Sequence, residues 1–420
     1  MRIAIIGTGI AGMVAGRTLH GIGHELVIYE ASTSIGGHTN TIPVTIRDRT
    51  YAIDTGFIVF NDWTYPNFIA LLDHLGVASQ PTTMSFSVRD GRSGLEYNGT
   101  SLNTVFAQRR NLLRPAFWRM IRDILRFGRE APALLSQEQD DLTLGEYVAR
   151  NGYSRQFVEH YLLPMGGAIW SAGTAAMRTF PARYFIRFFK NHGMLSVDER
   201  PQWRVITGGS WTYAKALVAP FRDRIRLDCP VESVRRDATG VTVVSKGQAE
   251  RFDQVVIATH GDQALRLLSD PSPREQEVLS AFSCTRNLAV LHTDTSVMPQ
   301  RRRAWAAWNY HLDGNEDAPV PVTYDMSALQ GIDAPERFLV TLNPSQPIAP
   351  ERILRRITYQ HPHYSVAAVA AQRRWHDING INRTWFCGAY WGYGFHEDGV
   401  SSALQVAERF GAGLAQCAVR

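Results

Sequence analysis

The chain has 420 residues, 45% hydrophobic and 20% charged, with a formal net charge of +5. That length and balance can bury a large core in two or three structural units and exclude a disordered chain. Its four cysteines (Cys229, Cys284, Cys387, Cys417) stand far apart with no CxxC pair, so neither a disulfide framework nor a metal-ligand spacing is expected, and a reducing cytoplasm is the expected setting.

The chain opens "MRIAIIGTGIAGMVAGRTLHGIGHELVIYE". "RIAIIG" reads as a buried parallel strand, "IAGMVAGRTLHGIG" as a helix with small residues on its packing face, and "ELVIYE" as a second strand. Three glycines at fixed offsets break the apolar start, so a signal peptide is not expected. Gly7 permits the tight turn and Gly9 lets the backbone approach a pyrophosphate. Gly12 lets the helix pack on the sheet, and Ile10 and Ala11 open that helix toward the negative charge. Glu30, followed by Ala31, ends the second strand where an acid accepts hydrogen bonds from an adenosine ribose. Strand, helix, strand and acid in register predict a dinucleotide site. The acid disfavours a 2'-phosphate, so NADP is not expected, and the residues alone leave NAD and FAD open.

Residues 101–130 carry seven arginines against Asp123 and Glu130, an excess as large as that of the whole chain. Within residues 106–130, Phe117, Met120, Ile121, Ile124 and Leu125 recur at helical spacing beside Arg119, Arg122 and Arg126, with Trp118 at the edge. This basic amphipathic helix suits either an anionic membrane surface or a bundle with a solvated basic face. No nucleic-acid reading module accompanies the charge, so nucleic acid is not an expected partner. "YLLPMGGAIWSAGTAAM" (161–177) is cut by Pro164 and three glycines and reads as pocket-lining loop and short helix, not a membrane span. Short strands are expected in 224–259, ending in "DQVVIAT", and in "NLAVLHTD", "AWAAWNYH" and "RFLVTLN". His292, His361 and His363 suit either a pocket or a structural role, and Trp305, Trp308 and Tyr310 suit core packing or substrate contact.

After Glu30, the string "ASTSIGGHTNT" resembles the extended FAD motif of the glutathione-reductase-like flavoproteins, particularly the amine oxidase and phytoene desaturase group. The resemblance implies cofactor contacts from Gly36, Gly37, His38, Thr39 and Thr41. Residues 224–259 resemble the family's middle portion, where the Val231 backbone would meet the adenine. "TWFCGAYWGYGFHEDGVSSALQVAERFG" (384–411) resembles its C-terminal FAD segment, with Gly388 and then Asp398, Gly399 and Val400 at a helix N-terminus. The implied fold is α/β: a Rossmann-like FAD-binding domain assembled from residues 1–65, 200–275 and 376–420. An interleaved α+β substrate domain takes 66–199 and 276–375, with a helical part at 100–195.

A flavin of this family takes hydride from a C–H bond. Amine oxidases of the group commonly carry a lysine near the flavin N5. The strand taken to correspond, "CTRNLAVLHTD" (284–294), has none, and the chain's only lysines are Lys190, Lys215 and Lys246. "AYWGYGFHEDG" holds no cysteine for a covalent link, so FAD is expected to be non-covalent, with His38 leaving a histidyl link open. The same string places Tyr390, His396 and Glu397 as candidate catalytic residues in an aromatic wall, the acids serving alternatively as helix caps.

More narrowly, "GGHTNT", "AWNY", "LVTLNP" and "CGAYWGYGFHEDGV" resemble a bacterial group of predicted NAD/FAD-binding, amine-oxidase-like proteins. That resemblance implies work on lipid-linked, methyl-branched acyl chains, as in the desaturation that precedes furan fatty acid formation, beside a lipid methyltransferase partner and at the inner membrane face. Amine or polyamine oxidation, carotenoid-type desaturation and a non-redox FAD-binding role remain the alternatives.

Overall fold

Short apolar segments build the central sheet. In the computed structural model, which describes residues 1–136, 142–196, 198–316 and 318–418, five parallel strands stand in the order Ile225–Arg226, Glu25–Tyr29, Arg2–Ile6, Gln254–Ile257, Thr384–Phe386. Residues 137–141, 197, 317, 419 and 420, which the sequence-derived spans include, lie outside the described residues. "RIAII" and "QVVI" are apolar almost throughout because both faces of a parallel sheet are covered. On one face the first helix (Ile10–Gly21) packs against the final helix (His396–Glu408). That approach needs Gly399, since a Cβ there would stand 2.6 Å from Ile10 Cγ2. An antiparallel meander (Val231–Asp237, Gly240–Ser245, Gln248–Phe252) adjoins the sheet.

The second half of the molecule centres on a seven-stranded sheet. Its order is Ile353–His363, Ser283–His292, Leu339–Leu342, Val322–Asp325, Trp308–Leu312, Phe86–Asp90, Glu96–Asn98. Helices between residues 102 and 191 cover it with a core of Phe157, Leu162, Phe185, Ile186 and Phe189, each almost fully buried. The fold is thus α/β with an α+β second half, as the family resemblance implied.

Several local expectations shift. "AWAAWNYH" is a strand only from Trp308, because Arg302–Ala304 forms a 3-10 turn and Trp305 bonds its indole N–H to the Pro299 carbonyl instead. The stretch 161–177 is mostly helix (Leu163–Trp170 and Thr174–Arg178), with Pro164 tolerated in its first turn. The 11-residue strand Ile353–His363 went unread in the sequence, although Ile357, Tyr359 and His361 alternate along it.

The basic helix (Pro115–Glu130) resolves its two readings in an unexpected way. Its apolar face, with Phe117, Met120 and Phe127, is buried in the helical layer and unavailable to a membrane. Asp123 is buried with them and accepts the Ser154 amide at 2.9 Å. No helix among the described residues is long and apolar enough to cross a membrane.

Candidate active site

The carboxyl ends of the parallel strands open into a cavity of about 840 Å³ that also reaches the seven-stranded sheet and the helical layer. Such a crevice is where α/β sheets bind ligands, and the volume lies within the range of roughly 300–1,000 Å³ usual for small-molecule sites.

At one end the backbone does the work. Gly7 sits at φ +102°, and a Cβ on Gly12 would fall 2.0 Å from the Gly7 carbonyl oxygen, so both glycines are required by the turn. Gly9 differs: a Cβ there would meet nothing within 4 Å, because the space beside it is the cavity. The first helix begins at Ile10 with no side-chain cap and no acid in its first turn, so the positive end of its dipole faces that space. Glu30 is fixed at the rim. Its Oε2 accepts the Thr8 amide at 2.9 Å, and its Oε1 accepts the Ser32 amide at 2.8 Å. Gly36 (φ +112°) and Gly37 (φ +59°) fold the next loop back, the Gly36 amide donating to the Thr8 carbonyl at 3.1 Å. Ala31, Val231 and Gly388 complete this end.

This cradle fits the phosphates of a dinucleotide, and a family comparison identifies which one. Residues 10–337 match the family model for flavin-containing amine oxidoreductases. The chain belongs to that family. It is therefore an FAD-dependent oxidoreductase. A Mycobacterium tuberculosis protein, AofH, described as a flavin-containing monoamine oxidase, is 25% identical over 339 residues, covering 77% of this chain and 70% of that one. Among solved structures, cyclohexylamine oxidase from Brevibacterium oxydans superposes with a TM-score of 0.71 at 15% identity, covering 98% of this chain and 99% of that one. A fatty acid isomerase from P. acnes gives 0.69 at 17% identity, with 97% and 98% covered. At these identities the two structures establish shared fold.

The other end of the flavoenzyme's cavity is made of side chains. Met84, Ile169, Trp170, Phe188, Met194 and Trp308 come from separate segments, joined by Tyr393 and Phe395 of the aromatic string. Among the described residues lining the whole cavity, Glu30 is the only carboxylate and Arg266 the only permanent cation, and Arg266 pairs with Asp262 at 2.8 Å. No lysine is present there. The strand taken to hold the family's lysine position, Ser283–His292, does not reach the wall; its neighbour does, through residues 357–362.

Between the two ends lies a histidine cluster. The His38 ring centroid is 5.3 Å from that of His361, 6.1 Å from that of His260, and stacked on Tyr359 at 4.9 Å. Burial, then the neighbouring imidazoles, hold His38 well below the ordinary histidine range, and the same causes bring His361 to about 4. His38 Nε2 is buried without a hydrogen-bond partner in the protein. His260 was missed in the sequence; its place just after the "DQVVIAT" strand, at the crevice, was the available signal.

The three candidate catalytic residues separate. His396 lines the cavity, but its ring stacks on Phe57 at 3.6 Å and its Nε2 shares hydrogen bonds with the Tyr213 hydroxyl (2.8 Å) and the Thr39 hydroxyl (3.1 Å). Desolvation depresses its pKa to about 3, which makes it a poor base. Tyr390 also lines the cavity, packed on Phe282 at 4.8 Å, its buried hydroxyl unpartnered and held far above the usual phenol range by burial. Glu397 does not line it. Its carboxylate accepts the Asn67 and Phe68 amides at 3.1 and 2.9 Å and the Asn67 side chain at 2.9 Å, capping the helix Pro66–Leu75.

Other residues expected at the cofactor also hold the scaffold. Asp398 accepts the Phe395 amide at 2.9 Å and shapes the 392–395 turn; burial pushes its carboxyl up to about 7. Val400 is fully buried and Gly399 serves helix packing. Thr39 is buried between Tyr213 and His396, and Thr41 bonds Asp54 at 2.6 Å. Cys387 is fully buried, its thiol pushed up to about 12 by desolvation. Of the other histidines, His292 is structural, bonded to Thr341 Oγ1 at 2.7 Å and accepting the Asp294 amide at 3.1 Å.

Proposed function

We propose that this flavoenzyme oxidises the long apolar chain of a lipid, namely a methylated, phospholipid-linked monounsaturated acyl chain, which it desaturates to a diene. One observation carries the reading: among the described residues, the side-chain end of the cavity has no carboxylate to anchor an ammonium group and no lysine. Burying an unpaired charge in such a wall is costly, whereas an acyl chain leaves nothing unsatisfied. One structural neighbour is, by its title, a fatty acid isomerase.

FAD, when bound, supplies the hydride acceptor. The chain's own part is to hold and shield. Gly9 and the first helix receive the diphosphate, and Glu30 the adenosine ribose. Trp170, Phe188, Trp308 and Phe395 enclose the acyl chain and keep water from the reacting carbons. Loss of a hydride from an allylic carbon leaves the neighbouring C–H strongly acidic, so a weak base suffices to take its proton and form the second double bond. Both His38 and His396 are weak bases by burial, and they differ in availability: His38 Nε2 has no partner in the protein, whereas His396 Nε2 is engaged by Tyr213 and Thr39, so His38 is assigned the proton.

Family membership and the AofH match favour a second reading, oxidation of an amine. Anaerobic mixing of holoprotein with methylated monounsaturated phospholipids and, separately, with a panel of amines separates the two. Flavin bleaching by the lipids with a new diene supports desaturation. Bleaching by amines alone replaces it with amine oxidation, and bleaching by neither removes both.

A further inference from the structure

Although the basic helix buries its apolar face, its outer face is not an ordinary solvated one. Trp118, Arg122, Leu125 and Arg129 follow one another at intervals of four, three and four residues and so form one stripe. Trp118 is 48% and Leu125 53% exposed. The preceding segment extends the surface. The Trp118 indole N–H donates to the Leu112 carbonyl at 2.9 Å, fixing the 3-10 turn Arg109–Leu113 to the helix, and Leu113 is 87% exposed at its tip. Arg109 ties that turn to the next helix, Leu102–Val105, by donating to the Phe106 carbonyl at 2.9 Å, and Leu102 is 79% exposed.

Eleven large hydrophobic side chains are exposed among the described residues, and five of them (Leu102, Leu112, Leu113, Trp118, Leu125) lie in this one segment. Arginines surround them. Arg114 and Arg119 make no ion pair among the described residues, and Asp123, the segment's other acid besides Glu130, is buried beneath. The helix also touches the cavity wall: a Cβ on Gly128 would fall 2.2 Å from the Leu195 carbonyl oxygen, and the residue before Leu195 is Met194 of the cavity lining.

We propose that residues 102–129 form a docking surface for an anionic phospholipid bilayer, with leucine and tryptophan entering the headgroup boundary and arginines meeting lipid phosphates. Exposed apolar side chains interspersed with arginines in excess of the segment's two acids match an interface that is apolar within and negative at its rim. The inference deepens the lipid-substrate reading and rests on it for its purpose, since the helix that carries the docking face meets Leu195, next to Met194 of the cavity lining.

The test is partition of FAD-loaded protein onto vesicles, measured without turnover. Wild type is expected to co-sediment with phosphatidylglycerol/phosphatidylethanolamine vesicles and not with phosphatidylcholine vesicles. Leu102→Asp/Leu113→Asp and Arg119→Glu/Arg122→Glu should each lower partition at least about tenfold, with melting temperature and flavin spectrum unchanged. Absence of partition by wild type, or partition indifferent to both variants, overturns the proposal. Binding of duplex DNA in preference to the vesicles overturns it as well. Detergent-dispersed acyl substrate keeps the two claims apart: flavin bleaching there with no vesicle binding sinks only the docking surface, and vesicle binding with no bleaching sinks only the substrate assignment.

Discussion

The two ends of the cavity are built on different principles. The cofactor end depends on backbone, where Gly7, Gly9 and Gly12 fall within six residues and each has a distinct steric task. The other end depends on side chains drawn from segments as far apart as Met84 and Phe395. A backbone site tolerates almost no change at a few positions, while a side-chain wall can be re-lined for another substrate with its scaffold intact. That division lets relatives described as acting on amines share this fold with a protein whose side-chain wall has, among the described residues, no carboxylate.

Substitution at the cofactor end offers the most severe test. Gly12→Ala places its Cβ against the Gly7 carbonyl, so the turn itself must open. The expected result is loss of bound flavin together with loss of soluble folded protein. Gly9→Ala intrudes only on the space for the diphosphate, at an ordinary φ of −62°. Apoprotein melting should then stay within about 2 °C of wild type while FAD affinity falls at least about tenfold. Equal damage from the two variants would mean that both glycines serve only the turn.

At the substrate end, Met194→Glu inserts a carboxylate into the wall. Flavin reduction by the acyl substrate is expected to slow at least about tenfold, because an unpaired charge there is costly to desolvate, with FAD affinity unaltered. Rapid-mixing absorbance measures the first and equilibrium titration the second. An unchanged acyl rate would place the substrate elsewhere.

What could be read in advance follows the same division. The βαβ unit, its glycines and Glu30 are local in sequence, so their chemistry is visible as a string, and with the family resemblance they implied the α/β fold class. Steric tasks such as that of Gly399 against Ile10 join residues almost four hundred positions apart, and no string displays them. Glu397 and Asp398 looked like site acids because they sit at a helix start beside the aromatic string. Only the fold reveals that one caps a different helix and the other braces its own turn. The basic helix left two readings open for a related reason. Its amphipathic pattern is real, yet a pattern does not specify whether its apolar face meets lipid or protein.

The histidines add a pH dependence. Burial holds His396 at about 3 and His192, His292, His311 and His361 at about 4, against roughly 6.5 in an unfolded chain. As pH falls below about 6.5 the unfolded chain gains protons at these five sites that the native state refuses, so stability is lost with acid. Asp54 at about 6 and Asp398 at about 7 act in the opposite sense, because the folded protein retains two protons there that the unfolded chain releases above about 4. Five sites outweigh two. The apoprotein's melting temperature should rise by several degrees per unit between about pH 4.5 and 6.5 and level off near neutrality. A flat profile would show that these five histidines are hydrated and titrate normally.

His396→Gln then distinguishes scaffold from catalyst at the boundary between the ends. As a buried partner of Tyr213 and Thr39, its replacement should cost about 1–3 kcal/mol of stability and slow substrate-driven flavin reduction less than about tenfold. Loss of a general base would slow it by roughly 10²–10⁴.

The smallest effect belongs to Glu397, and it tests whether proximity in sequence to the aromatic string has any chemical meaning. Its two carboxylate oxygens are committed to the first turn of the helix Pro66–Leu75, and Ser401 adds a hydrogen bond at 3.2 Å from one turn along its own helix. The residue therefore ties the final helix to a segment more than three hundred positions away, much as an N-cap would, but from outside the helix it caps. Glu397→Ala leaves those amides to water at a part-buried site, which should cost about 1–2 kcal/mol and lower the melting temperature by a few degrees. The rate of flavin reduction by the preferred substrate should stay within about twofold, because the carboxylate is outside the cavity lining; a loss on the scale of a general base, roughly 10²–10⁴, would return Glu397 to the chemistry and require the 395–398 turn to rearrange when substrate binds.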